Sequence, residues 1–123
     1  MRQIEDLVDQ VISAFQARRR THWHAVTLPL TGDDQELQQW RGLVEARLKA
    51  FRHSTVDRSA LLDRVRRRYD AAEWTADFAG VADELQKMAR DDLRRHLIDN
   101  GMPTKAADKV VAGYSIGALL REP

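Results

Sequence analysis

The sequence predicts an all-α fold, a compact array or bundle of about five helices with one extended segment near residues 22–30, built as a single helical domain over residues 1–123. Three observations predict it. Apolar residues recur at helical spacing along most of the chain. Pro29, Gly101 and Pro103 fall between those stripes and punctuate them. Only one short run alternates apolar and other residues, so a sheet has no second strand within the chain.

The first stripe is Ile4, Leu7, Val8, Val11, Ile12 and Phe15. It marks one amphipathic helix, expected to end at Arg18, Arg19 and Arg20, where cations favour the negative end of the helix dipole. Residues 21–31, "THWHAVTLPLT", break the period: Val26, Leu28 and Leu30 alternate, and Pro29 forbids a helix interior. This segment reads as an apolar strap, lying over the helices or pairing with a second chain. Asp33 or Asp34 can then cap a helix whose stripe is Leu37, Trp40, Val44, Leu48 and Phe51, running to about His53. Ser54, Thr55 and Asp57 compete to cap a third helix with Leu61, Leu62, Val65 and Tyr69 inward. Thr75 is a candidate cap for a fourth, which carries Trp74, Phe78, Val81, Leu85, Met88, Ala89, Leu93 and Leu97 and ends at "DNGMP". Thr104 is expected to cap the last helix, with Ala107, Val110, Val111 and Tyr114 on one face.

Composition narrows the function classes. Apolar residues make up 43% of the 123 residues, enough for a core and too many for a disordered chain. No apolar run approaches the ~18 residues of a membrane span, and the amino-terminal stripe is interrupted by acids, unlike a signal peptide. The expected setting is cytoplasmic, with no membrane. The absence of cysteine removes disulfides, thiolate metal sites and cysteine nucleophiles together. Arginine outnumbers lysine 16 to 4, yet the net charge is only +1, so any polyanion contact must rest on a local patch.

The stretch "RRRTHWHAV", residues 18–26, holds the densest candidate chemistry. On an extended chain His22 and His24 point to one side and could reach one metal ion, but a zinc or iron site needs three or four protein ligands. The other histidines, His53 and His96, fall on different helices, so neither a metal nor another cofactor is expected. Trp23 reads as an apolar anchor. Catalysis has no local motif: no nucleophile elbow, phosphate loop or dinucleotide fingerprint occurs. The adjacent acids Asp33–Asp34 and Asp91–Asp92 point about 100° apart on a helix and form no facing pair. The chain is therefore expected not to be an enzyme.

Charge is layered along the sequence. Residues 41–68 hold nine bases against three acids, and residues 70–92 hold seven acids against two bases. Arg64, Arg67 and Arg68 share the face of the third helix away from its apolar stripe. Arg41 and Arg52 could extend that patch from the preceding helix, and Arg18, Arg19 and Arg20 could join it. Two readings stay open: a surface that contacts phosphate or an acidic partner, or solvated faces whose opposite charges meet across the bundle.

The carboxy-terminal stretch "AGYSIGALLR", residues 112–121, resembles the helix-turn-helix of the tetracycline-repressor family. The resemblance, over about twenty residues, implies a first helix opened by Thr104, a turn at Gly113 and a recognition helix capped by Ser115. Gly117, Ala118 and Leu119 would match that helix's small and apolar positions, and Tyr114, Ser115 and Ile116 would lie near DNA. Asp108 and Lys109 depart from the family, standing where it has an apolar residue and an alanine. Read without the resemblance, the same residues make one amphipathic helix weakened by Gly113 and Gly117.

The expected function is that of a helical interaction module or small subunit. It would bind a protein partner, or itself as a homodimer, through residues 22–30 and the arginine surface. The alternative is a nucleic-acid-binding accessory protein using the same arginines, with or without the carboxy-terminal motif.

Overall fold

The computed structural model describes the backbone of residues 2–22, 34–53, 55–69, 76–114 and 116, and the side chains of all of these except residues 2, 19–22 and 51–53. It is an all-α bundle. Among the described residues there are six helices, α1 Arg2–His22, α2 Gln35–Gln38, α3 Arg41–His53, α4 Arg58–Tyr69, α5 Phe78–Asp99 and α6 Thr104–Gly113, and no strand. Apart from His22, the predicted extended segment 22–30 lies outside the described residues.

Several boundaries differ from the sequence reading. α1 continues past the arginines through His22, because no breaker stands between Arg20 and His22. His22 therefore sits on a helix, which removes the extended geometry that would have aligned it with His24. The single helix expected from Asp34 to His53 is two. At the joint the Trp40 amide donates to the Leu37 carbonyl at 3.0 Å, three residues back, which tightens the chain into a turn before α3 begins. At the start of α5 the cap is Asp77, not Thr75: its Oδ1 accepts from the Gly80 amide at 2.8 Å. Trp74 thus precedes that helix and lies outside the described residues. Thr104 is the first residue of α6 and does not cap it; Pro103, with φ −59° and ψ 145°, takes the boundary position. α6 stops at Gly113, and Tyr114 is extended (φ −81°, ψ 125°), so residues 104–121 are not one continuous helix.

α5 is the hub. It packs against α1, α3, α4 and α6, while α1 also packs on α4 and α2 on α6. That position explains its wide buried face, which includes Val81, Ala82, Leu85, Met88, Ala89, Leu93 and Leu97. Val8, Val11 and Phe15 from α1, Leu61 and Val65 from α4, and Ala106, Ala107 and Val110 from α6 belong to the same continuous core. Trp40 is only half-buried against it. Gly101 ends α5 with φ +100°, while Met102 donates to the Leu97 carbonyl and Gly101 to that of Ile98, both at 3.0 Å. This left-handed closure turns the chain directly into α6 and buries Met102.

Side-chain pairs give the helix directions. Glu5 meets Arg66 and Asp9 meets Arg58, so rising along α1 means descending along α4. Arg64 meets Asp91 and Arg68 meets Asp83, which reverses α4 against α5. Arg94 binds Asp108 at 2.7 Å and Arg90 Nε donates to the Tyr114 carbonyl at 2.8 Å, which reverses α5 against α6. Consecutive helices from α4 onward are thus antiparallel, as short connections favour.

Candidate functional site

Of the residues singled out by sequence, the structure brings three together. Arg64, Arg67 and Arg68, at i, i+3 and i+4 on α4, line one open groove of about 370 Å³ with Glu84 of α5. The placement follows from the buried stripe Leu61, Leu62, Val65 and Tyr69, which turns the arginine face outward beside α5. Arg41 is not among the lining residues; it is exposed on α3 and pairs with Glu45 one turn on, at 2.9 Å. Arg18 is half-buried on α1. Arg19, Arg20 and Arg52 have helical backbones on α1 and α3, but their side chains, like all of Trp23, lie outside the described residues.

Each groove arginine has a different tie. Arg64 Nη1 reaches Asp91 Oδ2 at 3.1 Å, and its Nε is buried without a hydrogen-bond partner among the described residues. Arg68 Nη1 bonds Asp83 Oδ2 at 2.8 Å and the Gly80 carbonyl at 3.2 Å, and its guanidinium lies 5.5 Å from the centre of the Tyr69 ring. Arg67 makes no ion pair among the described residues; its Nε donates to the Asp63 carbonyl at 3.4 Å. Glu84 forms the floor. Its side chain is 11% exposed, and its Oε2 lies 3.9 Å from both Arg68 Nη1 and Lys87 Nζ. Burial pushes the Asp83 carboxyl upward, but hydrogen bonds from Arg68 and Lys87 outweigh it and leave Asp83 below its ordinary value. The Asp83 carboxylate in turn raises Arg68.

The opposite charges therefore do meet across the bundle, and on two sides. Sequence reasoning missed the second side: Arg58 bonds Asp9 at 2.6 Å and Arg66 bonds Glu5 at 2.9 Å, tying α4 to α1. The hydrogen bond from Arg58 holds Asp9 below the usual carboxylate range. The signal was present as acids at i and i+4 on α1 and arginines eight apart on α4, but their pairing depends on tertiary register. Glu84 was missed too, although an acid three residues after Val81 interrupts an apolar stripe.

The carboxy-terminal residues are placed differently from what the helix-turn-helix resemblance implied. Tyr114 is 1% exposed and Ile116 0%, so neither can reach a duplex. Arg90 holds the Tyr114 carbonyl, and the Ile116 amide donates to Gln86 Oε1 at 3.3 Å, so two α5 side chains draw this stretch into the core. Asp108 and Lys109, where the sequence departs from that family, serve the bundle: they pair with Arg94 at 2.7 Å and Asp34 at 3.4 Å. Residues 115 and 117–121 lie outside the described ones.

No family model, curated protein or solved structure matches this chain. Function must therefore be argued from the groove itself, which offers guanidinium forks suited to carboxylate or phosphate oxygens. Among the described residues, no three histidine or acidic side chains converge as metal ligands, and no helix is long and apolar enough to cross a membrane.

Proposed function

We propose that the protein is a non-enzymatic helical interaction module that docks an acidic segment of a protein partner on the α4–α5 groove. The observation that carries this reading is the shared opening of Arg64, Arg67 and Arg68, in which Arg67 has only a backbone carbonyl to bond among the described residues. The pairs around it are exposed and worth about 0–1 kcal/mol each, so an incoming carboxylate can replace Asp91 or Asp83 at little cost. Phosphate backbones suit the groove less well. Asp83, Glu84 and Asp91 border the same arginines, and a polyanion with one charge per ~1.7 Å of duplex would face them as well.

Arg67→Glu is the discriminating variant, because it cancels the net positive charge of the groove's lining without breaking an ion pair between helices. A pulldown from the native host should recover one protein at fixed stoichiometry with the native chain. That recovery should survive nuclease and be lost with Arg67→Glu. Recovery abolished by nuclease would replace this reading with nucleic-acid binding. Recovery unchanged by Arg67→Glu would remove the groove from the interface. The solution mass of the purified chain then shows whether the partner is a second copy.

A further inference from the structure

A second concavity lies away from the arginine groove, between α1, α3 and α5 and the stretch leading into α4. It encloses about 290 Å³, near the lower end of the roughly 300–1,000 Å³ typical of small-molecule sites. Its wall is apolar, with Phe15 from α1, Val56 before α4, and Leu85, Met88 and Leu93 from α5. Two basic residues line it, Arg47 of α3 and His96 of α5. Arg47 is half-buried and makes no ion pair or hydrogen bond among the described residues, and its Nε is buried.

A buried guanidinium nitrogen left without a hydrogen bond is costly, and an anion that reached Arg47 Nε would supply the partner that the described residues do not. Two acids share the lining, Asp57 and Asp92, but both are engaged elsewhere. Asp57 Oδ1 accepts from the Ala60 amide at 3.0 Å, and Asp92 Oδ1 accepts from Arg95 Nη2 at 2.7 Å. Their presence limits the ligand's charge: each negative charge on it meets the repulsion of both, so among anions a single carboxylate, paired with Arg47, fits best. The apolar wall sets the rest of the ligand. We infer that this cleft binds a small amphipathic monocarboxylate, its carboxylate on Arg47 and its hydrocarbon against Phe15, Leu85, Met88 and Leu93.

The inference does not depend on the α4–α5 groove. The test is a titration of the full chain with sodium octanoate and, separately, with 1-octanol, followed by amide chemical shifts and calorimetry. Octanoate should move the amides of Thr55, Ala89 and Leu93. Arg47→Gln should weaken octanoate at least about tenfold, as expected for a charge-assisted hydrogen bond, and leave octanol unchanged. Ala50→Phe places a large group at an exposed lining position and should block both probes. Octanoate that fails to move these amides at millimolar concentration would overturn the site. Equal binding of octanoate to the native chain and to Arg47→Gln would overturn the role of the carboxylate, and binding unaffected by Ala50→Phe would place the ligand elsewhere. Thermal melts of both variants establish that each is folded before it is titrated.

Discussion

Tyr69 and Gly80 show how finely single residues set the α4–α5 contact. A β-carbon built on Gly80 would fall on the Tyr69 hydroxyl and crowd Asp77 Oδ1. Alanine is the better helix former, yet Gly80→Ala should lose about 1–3 kcal/mol, because the phenol must move out of a closed site. A urea titration checks this, and a stabilised variant would show that the contact is loose. Trp40 runs the other way. On its stripe it reads as core, but the turn between α2 and α3 leaves it half-buried. Trp40→Ala should therefore cost about 1–2 kcal/mol, below the roughly 3–5 kcal/mol of a closed aromatic site. The same titration reads it. Neither effect was legible in the sequence, since both depend on which neighbour the backbone brings near. Tyr114 and Ile116 make the point most clearly: their burial follows from Arg90 and Gln86, 24 and 30 residues away.

At the scale of the element, the apolar stripes carried most of the information. Among the described residues the stripes of α1 and α4 name all the buried side chains and that of α5 names six of nine, leaving out Gly80, Ala82 and Glu84, and Asp34 and Asp57 cap as acids before an apolar stripe should. Boundaries failed where the sequence offered rival caps or a tolerated turn, as at Thr75 and Asp77 or at Gln39 and Trp40. Asp77→Ala should cost about 1 kcal/mol, and Asp77→Ser should recover most of it, because a hydroxyl can still accept from the Gly80 amide. Melting temperatures of the pair check this; equal losses would mean that the Asp77 charge, and not its hydrogen bond, stabilises the start of α5.

Across the whole molecule, the layered charge of the sequence becomes a set of ties. Acids of α1 hold one side of α4 and acids of α5 hold the other. The layering itself was legible; its partners were not, because helix directions and register decide them. Asp9 and Asp83 are both held below their ordinary value of 3.8. A depressed folded value means that the unfolded chain binds protons first as pH falls. The stability these groups contribute is thus complete above about pH 5, starts to fall as pH nears the unfolded value of 3.8, and is gone only below the depressed folded values. Urea midpoints should stay level from pH 7 to about 5 and then decline, and Asp9→Asn with Asp83→Asn should flatten that decline. An unchanged decline would assign it to other carboxylates. The ties also differ in the length of chain they close. α4, α5 and α6 are joined by pairs 14 to 27 residues apart, whereas α1 reaches α4 across 49 and 61 residues. Closing the longer loop costs more entropy before any contact rewards it. The route to the native state should therefore assemble α4–α6 first and seat α1 after the rate-limiting barrier. Val11→Ala should then speed unfolding and leave refolding almost untouched, while Val81→Ala slows refolding as well.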